Sequence, residues 1–208
     1  MIDSSIKYLM FDLGGVIIDL DVNATVNEMV RLSSLEKGQI LERYAITEFF
    51  KEFEKGLITE QEFLTELKHF LKTEASYEEL IKAWNAMLGV IPDRRIEKLR
   101  QLQNDYTILL LSNTNAIHES AFNEILRRDT GLPNLHAVFP TVYFSHKINM
   151  RKPDKEIFSF VLNENKINPA EMIFFDDTPE NLHTAREEGI KVFHVTHPDE
   201  WMDLDYGK

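Results

Sequence analysis

Four short stretches of the chain each place polar side chains at, or soon after, the end of an apolar, strand-like run. The polar residues at these places are Asp12; Ser112 and Asn113; Lys147, Arg151 and Lys152; and Asp176 with Asp177. Taken singly, each group has an ordinary structural explanation as a turn, a helix cap or a solvated loop. Four such groups in the same position relative to four strands would need four coincidences, so we interpret them as one site.

Together these residue types suit phosphoryl transfer. Carboxylates from two strand ends can bind a hard divalent cation such as Mg²⁺ through oxygen. The Ser112 hydroxyl and a neighbouring backbone N–H can donate to phosphate oxygens, and Lys152 supplies a compact positive charge. Asp12 can then act as a nucleophile, forming an aspartyl-phosphate that water hydrolyses.

The elements that must position these residues follow from their placement, because open parallel sheets bind ligands beyond the carboxyl ends of their strands. Apolar, β-branched or aromatic runs predict strands at 7–13, 106–112, 138–145, 172–175 and 192–195. Helical patterns separate the later runs, at 91–103, 115–128, 154–165 and 179–188. Strands and helices in alternation predict an α/β fold, a Rossmann-like parallel sheet flanked by helices.

The interval 21–90 differs from the rest because it contains no strand-like run. Amphipathic patterns predict four helices there, at 22–33, 35–52, 59–72 and 76–88. Thr59 begins Thr-Glu-Gln-Glu, a capping-box pattern for the third of them. We therefore expect an α/β core domain of residues 1–20 and 91–208, with a small all-helical cap domain, residues 21–90, inserted after the first strand.

The charge of the chain excludes one class of partner. Its 208 residues are 43% hydrophobic and 28% charged, with a formal net charge of −12, which is typical of a globular protein that is acidic. Such a surface repels the phosphates of DNA and RNA, so we expect no nucleic-acid partner. An anionic substrate would need local positive charge, from a lysine or a bound cation.

The chain carries no sign of membrane insertion or secretion. No apolar run approaches the ~18 residues of a membrane span, and the first residues lack the basic region and long apolar stretch of a signal peptide. Cysteine is absent, which excludes disulfides, thiolate nucleophiles and cysteine metal sites. We expect a cytoplasmic protein whose partner is a small-molecule phosphate ester, with no membrane partner.

The four motifs resemble those of the haloacid dehalogenase-like hydrolases, over essentially the whole chain. The resemblance implies that Asp12 is the nucleophile and that Ser112, with Asn113 beside it, binds phosphate. Lys152, in Met-Arg-Lys-Pro-Asp, falls on the family's phosphate-binding lysine. Within the family, the chain further resembles the branch that contains the bacterial α-D-glucose-1-phosphate phosphatases. The stretches that carry this resemblance are FDLGGVI, LSNTN, MRKPD and FEKGLITEQEF, residues 53–63.

The same resemblance implies Mg²⁺ as the cofactor. Asp176 and Asp177 fall on the family's acidic metal-binding motif, with Asp177 as the closer ligand and Asp176 as a secondary one. Asp12 and the backbone carbonyl of Gly14 are the other ligands that the family pattern implies.

Gly14 is also where this chain departs from the family. The usual first motif is Asp-x-Asp, and its second aspartate protonates the leaving group and later activates water. Glycine keeps the carbonyl for the metal but loses this acid/base side chain. The α-glucose-1-phosphate phosphatase branch resembles this chain in having the same glycine, and the anomeric oxygen of a sugar-1-phosphate needs a general acid less than other leaving groups.

Three functions are compatible with these residues. The leading one is a Mg²⁺-dependent phosphatase that hydrolyses a small phosphomonoester, such as a sugar phosphate, through an aspartyl-phosphate on Asp12. The second is a catalytically weakened member that binds a phosphorylated ligand or partner without turnover, which Gly14 keeps open. The third is a haloacid dehalogenase, and the Asp176-Asp177 pair argues against it because that chemistry needs no metal.

For residues outside the motifs we favour structural explanations. We expect His118 to be a surface or helix residue, although it is one candidate to replace the missing acid. Lys147 and Arg151 are expected to be loop charges, and the segment 201–208 a surface tail. The aromatic residues of the helical interval are expected to form its core: Phe49, Phe50, Phe53 and Trp84.

Overall fold

The computed structural model describes residues 2–207 and contains one parallel sheet. Its strands are β1 (Tyr8–Phe11), β2 (Thr107–Ser112), β3 (Thr141–Phe144), β4 (Met172–Asp176) and β5 (Lys191–His194). They lie in the order β3-β2-β1-β4-β5, so β1 is the central strand. The α/β fold class predicted from the alternation of elements is confirmed.

The alternation of side chains along β1 explains why both faces of the sheet are covered. Leu9 and Phe11 belong to one hydrophobic cluster, whereas Met10, which points to the opposite face, belongs to another. All three residues are fully buried. The helices of the core are α6 (Asp93–Leu102), α7 (Ala116–Thr130), α8 (Ser145–Ile148), α9 (Lys155–Asn165) and α10 (Pro179–Glu187).

These helices divide between the two faces. Apolar residues of α6 and α7 pack in the cluster of Leu9 and Phe11, and those of α9 and α10 pack in the cluster of Met10. The short helix α8 begins where β3 ends, at a position that the sequence pattern assigned to the strand. The sheet is therefore buried on both sides, and its carboxyl edge is left for a site.

The cap consists of helices inserted between β1 and β2. They are α1 (Val22–Leu32), α2 (Lys37–Ile46), α3 (Phe49–Glu54), α4 (Glu60–Leu71) and α5 (Tyr77–Asn85). The predicted helix 35–52 is wrong, because Thr47 adopts an extended conformation between α2 and α3 and its hydroxyl donates to the carbonyl of Arg43. The capping box at Thr59 is present and begins α4.

The cap has its own apolar core. Phe53, Phe63, Leu67 and Trp84 are buried there, and Ile117 of α7 also belongs to this cluster. Phe53 and Phe63 stack with ring centroids 4.0 Å apart. The predicted aromatic core of the cap is confirmed, and Ile117 shows that the cap also packs on the core helix α7.

Two adjacent linkers connect the cap to the sheet. The Asp19 N–H donates to Val90 O, the Gly89 N–H donates to Asp19 O, and Leu20 pairs with Leu88 in an antiparallel bridge. We propose that the cap domain, residues 21–90, joins the core domain, residues 1–20 and 91–208, at this bridge. Residues 1 and 208 of that division lie outside the described part of the chain.

The C-terminal segment is part of the core, so the prediction of a surface tail is wrong. Trp201 is fully buried, and its indole N–H donates to Val16 O at 3.2 Å. Tyr206 is also buried and donates its hydroxyl to Trp201 O. Contacts this distant in sequence leave no local pattern that would predict them.

Within residues 2–207, no helix combines the length and the apolarity that crossing a bilayer requires.

Candidate active site

The carboxyl ends of three neighbouring strands bring Asp12, Ser112 and Asp176 to one edge of the sheet. Ser112 and Asp176 end β2 and β4, and Asp12 directly follows β1. The parallel pairing continues past β1, because the Asp12 N–H donates to Phe175 O at 2.8 Å. Strand register therefore places these three side chains together, as the positions of the motifs predicted.

Lys152 joins the two carboxylates from the loop that precedes α9. Its Nζ lies 2.8 Å from Asp12 Oδ1 and 2.7 Å from Asp176 Oδ2, and the side chain is 1% exposed. A buried ammonium is stable only when it is paired and hydrogen-bonded. Of the three predicted loop cations, Lys152 is thus the one that the structure places among the strand-end carboxylates.

Asn113 holds this lysine in place. Its amide nitrogen donates to Lys152 O at 2.8 Å, and its amide oxygen accepts from the Lys152 N–H at 2.8 Å. The Asn113 side chain is therefore occupied with the lysine loop. We therefore propose that Asn113 binds phosphate through its backbone N–H.

Three carboxylates form a cluster that suits a divalent cation. Ligand atoms of Asp12, Asp176 and Asp177 all lie within 4.8 Å of one another. Asp176 already accepts hydrogen bonds from the Thr178 N–H, the Asn181 amide and Lys152. Asp177 is less engaged and more exposed, which fits the proposal that it is the closer ligand. An all-oxygen set of this kind suits Mg²⁺.

Gly15 is required by this cluster. Its φ is +67°, and a Cβ built at this position would lie 2.6 Å from Asp177 Oδ2. A side chain there would be strained and would push the carboxylate away. Gly14 has no such backbone requirement, and its carbonyl remains a proposed metal ligand.

Burial and neighbouring charges shift the pKa of Asp12, Lys152 and Asp177. Burial raises the pKa of Asp12 to about 7, the charge of Lys152 opposes this, and Asp176 adds to it. Burial would lower the pKa of Lys152, but the charges of Asp12 and Asp176 outweigh it and raise that pKa. Burial, followed by the charge of Asp176, raises the pKa of Asp177. A bound cation would oppose these shifts on the carboxyl groups.

A cavity of about 130 Å³ lies between the cap and core residues next to the cluster, Leu13, Gly14, Ser112 and Asn113. The core contributes Gly14 and Ser112 to its wall, and the cap contributes Tyr44, Glu54 and Trp84. Pockets that bind small molecules combine apolar walls with a few polar groups. This cavity follows that pattern, with walls from both the core and the cap.

His118 is buried beside this cavity, so the prediction of a surface position is wrong, although the residue is in a helix. Burial lowers its pKa to about 4. One ring nitrogen faces the Asn115 amide and the other faces Trp84 O, both at 3.2 Å. Because both nitrogens are engaged and the ring is neutral, His118 is poorly suited to replace the missing acid.

Sequence reasoning missed the ion pair of Glu54 and Arg151. Arg151 Nε lies 2.9 Å from Glu54 Oε2, and both side chains are about four-fifths buried. The pair connects α3 of the cap to the residue before Lys152. Arg151 is therefore more than the loop charge we predicted. The position of Glu54 within the segment 53–63 was the one available signal, and it did not specify a partner.

Comparison with known proteins decides the family. A family model described as haloacid dehalogenase-like hydrolase matches residues 9–195. The chain belongs to this family. The family recognised from the four motifs is thus confirmed, whereas the α-glucose-1-phosphate phosphatase branch remains a prediction.

Curated relatives of this family member include two phosphatases. A D-ribitol-5-phosphate phosphatase of Bacteroides thetaiotaomicron is 30% identical over 94% of this chain and 95% of its own length. A sesquiterpene phosphatase of Aspergillus oryzae is 27% identical over 93% of this chain and 91% of its own length.

Solved structures show the same architecture. A haloacid dehalogenase family enzyme of Bacteroides thetaiotaomicron, in complex with magnesium and inorganic phosphate, is 30% identical with a TM-score of 0.80, covering 97% of this chain and 98% of that one. A related hydrolase of Porphyromonas gingivalis is 28% identical, with a TM-score of 0.84 and 95% coverage of both chains. An L-2-haloacid dehalogenase is 16% identical with a TM-score of 0.62, covers 97% of this chain and 92% of that one, and shares the fold.

Proposed function

We propose that this protein hydrolyses a small phosphomonoester of a sugar or polyol, with Asp12 as the nucleophile. The observation that carries the proposal is the buried Lys152, which bridges Asp12 and Asp176 beneath a small capped cavity. The relative that acts on D-ribitol 5-phosphate supports a polyol or sugar phosphate as the substrate class.

The comparisons with known proteins support the enzyme class more directly than the substrate. Family membership and the phosphatase relatives confirm a metal-dependent phosphoric monoester hydrolase of the haloacid dehalogenase-like type. Magnesium complexes within the family confirm Mg²⁺ as the cofactor. The cluster of Asp12, Asp176 and Asp177 has the oxygen donors that this ion requires.

The residues of the site divide the reaction among them. When bound, Mg²⁺ would neutralise the charge of the phosphate oxygens and of the carboxylates. Asp12 attacks phosphorus, and the bond between phosphorus and the leaving oxygen breaks to give an aspartyl-phosphate and an alkoxide that takes its proton from water. Attack of a second water on phosphorus then releases phosphate and restores Asp12. Lys152 and the Ser112 hydroxyl hold the phosphate oxygens in line for both steps. The cap lies over the cavity and limits the access of bulk water.

Gly14 keeps one alternative open, a protein that binds a phosphorylated ligand without turnover. The nucleophile, the lysine and the acidic cluster are all in place, which favours catalysis. A dehalogenase is less favoured for two reasons. Its chemistry needs no metal ion, so it does not explain the carboxylate cluster, and the dehalogenase of known structure shares the fold alone.

Phosphate release from a substrate panel tests the proposed function. The panel contains D-ribitol 5-phosphate, α-D-glucose 1-phosphate, glucose 6-phosphate and a nucleoside monophosphate, each assayed with Mg²⁺ and with EDTA. We expect Mg²⁺-dependent release that favours a sugar or polyol phosphate. Absence of release across the panel, with inorganic phosphate still binding, would support the non-catalytic alternative.

Asp12→Asn is the matched variant for this assay. The amide cannot act as the nucleophile, so we expect turnover to fall below detection while the protein remains folded. Circular dichroism and binding of inorganic phosphate serve as the controls for folding and for the site. Turnover at the wild-type rate in this variant would refute the aspartyl-phosphate mechanism.

A further inference from the structure

Glu54 occupies an unusual place for a carboxylate. It is the last residue of α3, its side chain is 22% exposed, and it lines the cavity that also contains Gly14 and Ser112. Arg151, the residue directly before Lys152, donates a hydrogen bond to Glu54 across the boundary between cap and core. The carboxylate is thus fixed on the cap side of the cavity, and Gly14 and Ser112 belong to the core side of the same cavity.

The hydrogen-bonding capacity of Glu54 is not exhausted by Arg151. Among residues 2–207, its side chain is hydrogen-bonded through Oε2 to Arg151, and Oε1 has no such partner. Burial raises the pKa of this carboxyl, and the charge of Arg151 opposes the shift. Arg151 therefore helps to keep Glu54 ionised, as an acceptor of hydrogen bonds.

Two donors on the same wall also lack partners within the described chain. The Trp84 indole nitrogen is buried and has no hydrogen bond within residues 2–207. Tyr44 is 48% exposed, so its hydroxyl, which has no protein partner among those residues, is open to water or a ligand. Burial, and then the charge of Glu54, raise the pKa of Tyr44, so its hydroxyl stays protonated. Buried polar groups are rarely left unpaired unless a water or a ligand satisfies them.

The remainder of the wall makes these groups selective. Leu13, Ile18 and Leu88 line the same cavity. A hydroxyl that entered this space without a hydrogen bond would lose its hydration and gain nothing in return. An acceptor on the cap side therefore favours leaving groups that bear hydroxyls over apolar ones of the same size.

We propose that Glu54 is a specificity-determining residue that accepts a hydrogen bond from a hydroxyl of the leaving group. This inference rests on the proposed function and assigns the selection of sugar and polyol phosphates to one side chain. Tyr44 and Trp84 supply the complementary donors. Arg151 is a positioning residue, which acts on the substrate through Glu54.

The test compares two substrates that release a primary alkoxide. D-Ribitol 5-phosphate carries hydroxyls, and n-pentyl phosphate has the same carbon count without them. Glu54→Met keeps the length of the side chain but removes the acceptor. We expect kcat/KM for D-ribitol 5-phosphate to fall about 10- to 100-fold, as for loss of a hydrogen bond to a charged group. The value for n-pentyl phosphate should be retained or improved.

Three further variants separate specificity from mere structure. Glu48→Met removes an exposed carboxylate that precedes the same helix, and it should leave both substrates unchanged. Glu54→Gln keeps an acceptor oxygen and should restore part of the lost activity on D-ribitol 5-phosphate. Arg151→Met breaks the ion pair but keeps the Glu54 carboxylate, so its effect on that substrate should be the smaller one.

The outcomes distinguish the two proposals. If Glu54→Met lowers kcat/KM for both substrates equally, and Arg151→Met does the same, the ion pair merely holds the cap in place and the inference is overturned. If Glu54→Met changes neither substrate, the inference is also overturned, while the proposed function stands. If the wild-type enzyme releases phosphate from no sugar or polyol phosphate of the panel, the proposed function fails and the inference fails with it. If it acts on another sugar phosphate of the panel, the proposed function stands and the same variants are compared on that substrate.

Discussion

At the scale of single residues, the two adjacent glycines of the first motif have different reasons to be glycine. Gly15 has a positive φ and lies against the Asp177 carboxylate, so its backbone and its surroundings both exclude a side chain. Gly14 has neither constraint. A Cβ there would meet the end of the Leu20 side chain at 2.6 Å, and that side chain is partly exposed and can move. The fold therefore does not require glycine at position 14, and the lack of an aspartate there concerns the chemistry of the site.

Gly14→Asp should restore the family's acid/base group. We expect turnover of phosphates with poor leaving groups to rise relative to aryl phosphates, by up to about 10²-fold, because only poor leaving groups need protonation. The measurement is the ratio of kcat values for n-pentyl phosphate and p-nitrophenyl phosphate. The contact with Leu20 should cost about 1 kcal/mol of stability, the low end for overpacking, because that side chain is exposed and can move.

Leu20→Ala supplies the control for that variant. Combined with Gly14→Asp, it removes the contact and should recover the lost stability without changing the ratio of the two substrates. An unchanged ratio in the single and double variants would mean that another group already protonates the leaving oxygen.

The residues of the site divide into those that sequence could predict and those that it could not. Asp12, Ser112 and Asp176 end strands of one parallel sheet, and that rule alone brings them together. Glu54 and His118 come from helices, whose approach to the site depends on how the cap packs. No local pattern encodes that packing, so their partners became visible only in the structure.

At the scale of elements, the contact between α5 and α7 connects the cap to the core. The rings of Trp84 and His118 stack with centroids 5.0 Å apart and planes 12° from parallel. His118 also faces Trp84 O, and Ile117 packs into the apolar cluster of the cap. This contact is made by a neutral histidine, which makes it sensitive to acid.

Acidification should weaken this contact in a defined range. The pKa of His118 falls from its ordinary value of 6.5 to about 4 on folding. Between these values the unfolded chain binds the proton more readily, so stability falls as pH decreases from 6.5 to 4, by an amount on the order of 3 kcal/mol. Urea unfolding measured across this range provides the test.

His118→Gln isolates the contribution of this residue. Glutamine can hydrogen-bond but does not titrate, so the slope of stability against pH between 4 and 6.5 should become shallower than in the wild type. Carboxyl groups elsewhere titrate in both proteins and cancel in the comparison. Identical slopes would show that His118 does not carry the effect.

Element boundaries show the same limit of sequence reasoning as the site. The strands and the helices of the core follow from apolar periodicity, since each packs on a continuous sheet. The break at Thr47 depends on a hydroxyl that bonds to the Arg43 carbonyl, and the burial of Trp201 depends on contacts with Val16 far away in the chain. Neither interaction is visible in a local pattern.

At the scale of the whole molecule, charge is distributed unfavourably in the absence of a cation. The chain carries a net charge of −12, and Asp12, Asp176 and Asp177 lie close together at the carboxyl edge of the sheet. Lys152 offsets part of this charge. A divalent cation would offset more, so metal binding and stability are coupled.

Mg²⁺ should therefore raise the melting temperature of the protein. At about 100 times its dissociation constant, a ligand specific for the folded state adds about 2.7 kcal/mol. Differential scanning calorimetry with MgCl₂, and with NaCl of equal ionic strength, separates binding from screening. We expect Asp177→Asn to lose most of the specific rise. An equal effect of the two salts would contradict a cation site at the cluster.

The central position of β1 also has a consequence for folding during synthesis on the ribosome. Of the five strands of the sheet, this one leaves the ribosome before the others, whereas its neighbour β2 begins only at Thr107 and its other neighbour β4 at Met172. Synthesis at about 5–20 residues per second leaves the first gap open for roughly 5 to 20 s. During that wait the cap can assemble its own aromatic core, because nearly all of that core lies between Met29 and Trp84. We therefore expect the core of the cap to form first, while Leu9, Met10 and Phe11 lack their strand neighbours until β2 and β4 have been synthesised.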